Sequence, residues 1–539
     1  MMTRDVHVMT DQGAASRRLP WWVFALTIGA SLGIALFFYT GVVASDDTFY
    51  LDIARHWTPG GDRTASDVAY ARIAVWYPIR VATWVAGDSW RALMWPPFVS
   101  AGLALLAVAL LGRRWFGDRP AVFAVATLGL TPPFIIAATI AVSDVMATSA
   151  VAAALALGGP ALVERDCKRP VLLAACAGLA IGLGYSAKET TALIVPAFGL
   201  FVLLRRPACA WAWTRLAAVA GGAALWLATE AVVLAVYTGD PFFHYLAISE
   251  SQAIYGLPLT DPTFTELADH WTQYARWLMD PNHVYGWCGP VYLAAVALAI
   301  WRGTDARRLL LCVILCLGVY LSVGSSDLRT YSPLWHQPRH LLLLVPAGAL
   351  LVGWIVDGLL RARKTVARVA AVAAVCLVVA SLHTANRDAG RWYAAREFTA
   401  GRRLFEHFDP PPWRDRVCAS GHTAYRLALL FEEADAGWVF SIGDPPASAP
   451  EWMQRYPGWY VVVSGADRRP PPPGQRMSLL TGESVAALTS FQRIASGAPP
   501  TSRAREVFSA LGLVAAGYDE SDRVEVFRVP QRTVVCADE

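Results

Sequence analysis

The chain has 539 residues, 55% hydrophobic and only 16% charged, with a net charge of +4 and a mean hydropathy of +0.39. Soluble domains carry about 25% charged residues, so a soluble enzyme of this length, a disordered chain and a coiled coil are excluded. What remains is a polytopic membrane protein, and so small a net charge gives no argument for nucleic acid as a partner.

The N-terminus carries Arg4, Arg17 and Arg18 ahead of an apolar run over 21–44. That run is too long for a signal-peptide core and lacks a small-residue cleavage site, which predicts a retained first span. Further runs of spanning length lie near 91–112, 119–139, 144–163, 170–187, 190–205, 214–237, 287–302, 307–324, 339–359 and 366–384. The expectation is an α-helical polytopic membrane protein of about 11 transmembrane helices. Alternate loops read GRRWFGDR, VERDCKRP, LLRRPACAWAWTR, WRGTDARR and RARKTVAR, all on the side of the basic N-terminus. By the positive-inside rule that side is cytoplasmic, and an odd number of spans puts the C-terminus outside.

The expected organisation is a cytoplasmic N-terminus over 1–20, a membrane region over 21–384 with an outer loop at 45–90, and an extracytoplasmic domain over 385–539. In that tail, 459–465 (WYVVVSG) and 523–529 (RVEVFRV) read as strands, and 423–434 and 502–514 read as helices. Such alternation predicts a small α/β domain, with RRPPPPG at 468–474 as a loop that joins no ladder. Most of the nine cysteines sit in apolar runs, among them Cys176, Cys312, Cys316 and Cys376. Cys418 and Cys536 fall in the tail, where an oxidising compartment allows a disulfide that their spacing alone does not decide. No cysteine or histidine spacing suggests zinc, and no pair of broken-helix halves is evident.

Four segments carry candidate chemistry. The first is ASDDTFYLDIARHW at 44–57, just past the first span, where Asp46 and Asp47 precede Tyr50, Ile53, Ala54 and Trp57 at helical spacing. Crowding of like charges and partial burial raise one pKa of such a pair toward that of a working base, while an N-cap at Ser45 or Asp46 accounts for the same residues. The second, SDVMATSA at 143–150, places Asp144 at the mouth of a span, as a site residue or as a cap. The third, GLGYSAKETTALIVP at 182–196, puts Lys188 and Glu189 at an outer turn, to neutralise a leaving group or to snorkel beside each other. In the fourth, SPLWHQPRHLLLLVPAGALL at 332–351, Arg339 and His340 suit phosphate or interfacial anchoring. His244, Glu250, His270 and His283, in the 238–286 outer loop, are assigned no role.

An acidic pair, two residues and a Tyr after a first span resembles the opening motif of the GT-C membrane glycosyltransferases. The pattern is most similar to the protein O-mannosyltransferase-like family 39 enzymes and the aminoarabinose transferases. The likeness spans roughly 20–360 and includes YPIRVATWVAGDSWRALMWPPFVSAGLALLAVALLGRRWFG at 77–117. It implies an inverting glycosyltransferase of the inner membrane, using a polyprenyl-phosphate-linked sugar on its outer face with a lipid, glycan or protein acceptor. It also implies Asp46 as the base, with Asp47 in place of the usual Glu, so that either Asp fills the role. By the same resemblance Tyr50, Asp144, Lys188, Glu189, Arg339 and His340 contact substrate, and Arg80 or Arg72 takes the basic position near the first-loop helix. Members of the group differ in metal use, and a divalent cation, where used, falls here to Asp47 and Asp144. The rivals are a flippase or transporter of lipid-linked sugars and a non-catalytic cell-envelope assembly factor.

Overall fold

The computed structural model describes residues 18–39, 46–59, 68–87, 92–205, 210–255, 263–301, 304–325, 333–334, 336–388, 417–420, 440–442, 446–463, 482–497, 507, 510 and 524–530. The N-terminal helix α1 spans Trp21–Phe37 and is followed by α2 (Asp46–His56), α3 (Val68–Ala71) and α4 (Ile73–Ala86). The bundle continues through α5 (Trp95–Trp115), α6 (Asp118–Leu130), α7 (Pro132–Ala137), α8 (Ser143–Val163), α9 (Pro170–Ala187), α10 (Ile194–Leu204) and α11 (Ala210–Thr238). Next come α12 (Phe243–Tyr255), α13 (Phe264–Met279), α14 (Cys288–Trp301), α15 (Asp305–Val323), α16 (Val345–Arg361) and α17 (Thr365–Asp388). Short 3-10 turns at Glu189–Leu193 and Pro338–Leu344 lead into α10 and α16.

Among the described residues, seven helices are long and apolar enough to cross a membrane. They are Ala92–Trp115, Ser143–Val163, Pro170–Ala187, Ala210–Thr238, Asp305–Val323, Pro338–Arg361 and Thr365–Ala385. The other apolar runs give shorter helices: Trp21–Phe37, Glu189–Leu204 and Cys288–Trp301. The run at 119–139 is not one helix. Thr131 is extended (φ −68°, ψ 119°) because a residue before proline is pushed out of the helical region, so α6 stops and α7 restarts at Pro132-Pro133. The 170–205 stretch resolves into two helices that part at Lys188.

α8 and α16 are the most enclosed spans, and α17 is mostly exposed along its length. α8 lies against α5 and α9, and α9 in turn against α11. α9 and α11 touch backbone to backbone. A Cβ on Gly178 would meet the Val219 carbonyl oxygen at 2.0 Å, and one on Gly222 the Ala175 oxygen at 2.1 Å. Small residues at a membrane-helix contact allow this approach and the dispersion contacts that come with it.

The basic loops gather at one end of the bundle. Arg114 makes paired hydrogen bonds to Glu164 (2.9 and 2.6 Å), and Arg113 lies 2.8 Å from Asp118. Arg205 donates to Leu162 and Val163 oxygens (2.6 and 3.0 Å), and Arg215 to those of Ala161, Glu164 and Arg165 (2.8, 2.7 and 2.9 Å). Arg205 and Arg215 thus satisfy carbonyls at and just past the end of α8, where a helix end carries partial negative charge.

The tail holds a sheet of order β2-β1-β3-β5-β4, built from β1 (Val417–Ser420), β2 (Phe440–Ile442), β3 (Tyr460–Val463), β4 (Gln492–Gly497) and β5 (Val524–Arg528). β1 runs parallel to β2 and β3, while β5 runs antiparallel to β3 and β4. Cys418, Val461, Val463 and Phe527 pack with Trp452 of α18 (Ala449–Arg455) and Leu488 of α19 (Gly482–Thr489). Val417, Ala419, Val462 and Val526 alternate with them onto the opposite, equally buried face. The expected strands at 459–465 and 523–529 are β3 and β5. The expected helix at 423–434 lies outside the described residues, and 502–514 is described only at Val507 and Ala510. Cys418 is a free thiol whose pKa is pushed up by burial, and Cys536 lies outside the described residues.

The α9–α11 contact makes a contrast between neighbours. Gly222→Ala is expected to cost about 1–3 kcal/mol by overpacking, whereas Gly221→Ala, with nothing within 4 Å of the new carbon, leaves the fold unchanged. Thermal unfolding in detergent reads both, and equal midpoints for the two variants would contradict the packing argument.

Candidate active site

The expected site residues belong to four separate stretches of chain, and the helix order brings most of them to the end opposite the basic loops. Asp144 opens α8, in the first turn, where the exposed backbone N–H groups favour a carboxylate. Lys188 closes α9: its N–H bonds the Gly184 oxygen at 2.7 Å, and its backbone then turns extended (φ −158°). Arg339 and His340 ride on the 3-10 turn that leads into α16.

Asp144 is the hub. Lys188 Nζ forms a hydrogen-bonded ion pair with Asp144 Oδ1, and both side chains are buried. Arg339 Nε lies 3.4 Å from Asp144 Oδ2, and its side chain is 24% exposed. The carboxylate is thus held by one buried and one partly accessible cation. His340 is an electrostatic neighbour of Asp144, and its Nδ1 lies 3.3 Å from the Tyr274 hydroxyl.

A second arm meets this hub. Arg72, between α3 and α4, donates to the Tyr50 hydroxyl (3.2 Å) and lies 3.7 Å from Glu189 Oε2. Burial opposes its charge, but Tyr50, Glu189 and Asp144 together hold its pKa above the usual guanidinium value. Tyr50, Ile53 and Ala54 of α2, and Trp57 just past its end, are buried, as their helical spacing predicts. Trp57 stacks on Tyr237 of α11 at 4.4 Å and meets Trp76 of α4 edge-on at 4.3 Å. This aromatic clamp fixes α2 against the bundle. Asp46 and Asp47 form the first turn of α2, and their side chains lie outside the described residues.

Arg80 sits apart from this cluster. It donates to the Trp57 carbonyl oxygen at 2.7 Å and lies over the Trp84 ring, which pins α4 to the end of α2. Among the described residues no group of three His, Cys, Asp or Glu side chains could hold a metal ion. Both Asp144 oxygens already face cations. Asp144 therefore offers no free oxygen to a hard divalent cation, while the side chain of Asp47, the other expected ligand, lies outside the described residues.

The turn that carries Arg339 is braced from α13. The Tyr274 hydroxyl donates to the Gln337 oxygen (3.3 Å) and accepts from the Gln337 N–H (3.3 Å). His336 stacks on His270 at 3.8 Å, with Nδ1 2.9 Å from Gln273 Oε1 and Nε2 3.0 Å from the Leu321 oxygen. Burial and the adjacent His270 lower the His336 pKa to about 4. The sequence assigned neither His270 nor Tyr274 a role, because helical spacing does not reveal which loop α13 will meet. Glu230 carried an unused signal, an ionisable residue inside the apolar run 214–237.

The fold is that of the GT-C membrane glycosyltransferases. The family model of dolichyl-phosphate-mannose-protein mannosyltransferases matches residues 73–235, from α4 to α11, which include Asp144, Lys188 and Glu189. ArnT from Cupriavidus metallidurans in the apo state superposes with a TM-score of 0.54 at 13% identity, covering 94% of this chain and 97% of that one. The same protein bound to undecaprenyl phosphate gives 0.50 at 14% identity over the same shares. The apo oligosaccharyltransferase of Archaeoglobus fulgidus gives 0.52 at 13% identity, covering 83% of this chain and 70% of that one. No curated protein sequence matches the chain.

Two outcomes follow from the ion cluster and its brace. Asp144→Asn strands the buried Lys188, and Lys188→Met leaves the buried Asp144 with Arg339 at 3.4 Å as its remaining ion-pair partner among the described residues. Each alone is expected to cost up to about 3–5 kcal/mol. The double variant should lose clearly less than the sum, and additive losses in thermal unfolding would refute the coupling. For His336, whose folded pKa lies below the ordinary 6.5, stability is complete above pH 6.5. It is lost as pH falls toward 4, because the unfolded chain takes up the proton first, by about 1.4 kcal/mol per pH unit at most. His336→Gln should flatten the melting temperature between pH 7 and 4, and an unchanged slope would exclude His336 as its source.

Proposed function

We propose that the chain is an inverting glycosyltransferase that moves a sugar from a polyprenyl-phosphate donor to a hydroxyl acceptor at the outer face of the inner membrane. The observation that carries this reading is the cluster at the end opposite the basic loops, where, among the described residues, Arg72 and Arg339 from separate stretches of chain converge around the Asp144–Lys188 pair and Glu189. Partly exposed guanidinium groups at the mouth of membrane helices suit a lipid phosphate. Arg72 and Arg339 are partly exposed and suit contact with the phosphate, while Lys188 is locked on Asp144 and holds the cluster together. The likeness in fold to ArnT bound to undecaprenyl phosphate supports a donor of this class.

The reaction runs as a single displacement. Asp46 or Asp47 takes the proton of the acceptor hydroxyl, and its oxygen forms a bond to the anomeric carbon. The bond from that carbon to the phosphate oxygen breaks on the opposite face, and polyprenyl phosphate departs with the charge that Arg72 and Arg339 stabilise. In the proposed orientation the N-terminus over 1–20 and the basic loops are cytoplasmic, the bundle spans 21–384, and the domain over 385–539 with its sheet is extracytoplasmic.

Purified protein in lipid nanodiscs, given undecaprenyl-phosphate-linked hexoses and pentoses with a membrane extract as acceptor, tests the proposal. Wild type should release undecaprenyl phosphate, and Asp46→Asn or Asp47→Asn should slow release by about 10²–10⁴-fold. Arg339→Ala should impair both donor affinity and turnover. Full activity in both aspartate variants would overturn the assignment of the base.

A further inference from the structure

α11 carries a carboxylate inside a membrane-spanning helix, an arrangement that is costly unless the group is used or paired. Glu230 is buried, and its Oε1 lies 3.0 Å from Nδ1 of His244, which is buried too, at the start of α12. In the neutral imidazole a carboxylate on Nδ1 holds the ring proton at that nitrogen and leaves Nε2 as a lone-pair acceptor, the tautomer assigned to His244. Nε2 is enclosed and has no hydrogen-bond partner among the described residues. One face of the ring lies against Tyr185, at 4.7 Å, and Tyr185 is one turn before Lys188 on α9. His244 is also an electrostatic neighbour of Glu189, the carboxylate that faces Arg72.

We propose that Glu230 and His244 form a hydroxyl-binding subsite beside the phosphate-binding cations, in which His244 Nε2 accepts a hydrogen bond from a sugar hydroxyl. The inference rests on the glycosyl-transfer reading above and extends it to a specificity-determining contact. An orphaned acceptor requires a donor, and the hydroxyls of a sugar are the donors such a ligand brings within reach of Arg72 and Glu189. The hydroxyl belongs either to the transferred sugar or to the acceptor. In both cases a substrate without that hydroxyl leaves Nε2 buried and unpaired, so the subsite discriminates by penalty as well as by attraction.

Equilibrium binding of undecaprenyl phosphate, and of a panel of undecaprenyl-phosphate monosaccharides, to the full-length protein separates these cases. His244→Phe keeps the ring against Tyr185 and removes Nε2. If the transferred sugar is read, His244→Phe weakens the best-bound panel member at least tenfold, leaves undecaprenyl phosphate unaffected, and is partly rescued in His244→Gln. If the acceptor is read, binding of both lipids is unchanged and the KM for acceptor rises tenfold with kcat little altered. Glu230→Gln, which keeps an acceptor on Nδ1, should retain more affinity than Glu230→Leu, and matched melting temperatures exclude unfolding as the cause. Wild-type affinities and KM in His244→Phe would overturn the subsite. Failure of the wild type to bind any of the lipids would instead overturn the donor class itself.

Discussion

The buried carboxylate of Asp144 is the constraint on which the site depends. A charge at the mouth of an apolar helix is tolerable only if it is paired, and Asp144 is paired twice, with Lys188 from the end of α9 and Arg339 from the turn before α16. Those pairings tie together the two most enclosed parts of the bundle, because α8 and α16 are the spans most surrounded by others. The rest of the site is built outward from this tie. Glu189 follows Lys188 directly and brings Arg72, and Arg72 brings Tyr50 and so the helix that begins at Asp46.

The two ends of the bundle use charge in different ways. At one end Arg205 and Arg215 spend their hydrogen bonds on main-chain oxygens at the end of α8, so their charge is absorbed by the fold. At the other end Lys188 is hydrogen-bonded to Asp144, but Arg339 and Arg72 face carboxylates across gaps of 3.4 and 3.7 Å, longer than a closed hydrogen bond. Both of these arginines are also partly exposed, so an incoming anion can meet them. The distinction between arginines that stabilise and arginines that bind is therefore visible in what each guanidinium already touches.

Much of this was legible in the sequence, for identifiable reasons. Apolar runs locate spans because the bilayer sets their length, and the sorting of Arg and Lys into alternate loops reports which ends lie together. That is how Asp144, Lys188 and Arg339, far apart in the chain, fall at one end. The break at Thr131 was equally written in Pro132-Pro133, yet the apolar run through it read as one span. Partners across the bundle were not legible. Nothing in local pattern pairs Glu230 with His244, stacks His270 on His336, or turns Arg80 toward the Trp57 carbonyl rather than toward the site. These contacts depend on how helices rotate about their axes, which periodicity constrains only to a face.

The Asp144–Lys188 pair also bears on how the chain enters the bilayer. The two residues sit at the free tips of consecutive helices, α8 and α9, joined at their other ends by the short basic segment 164–169. With that segment retained on the side of synthesis, as proposed, the tips have to be carried through the hydrocarbon layer. Two separate charges would each face a steep barrier there, but a hairpin that closes on itself presents one neutral pair. The interaction that organises the finished site would then serve earlier as the means by which its charged residues are translocated together.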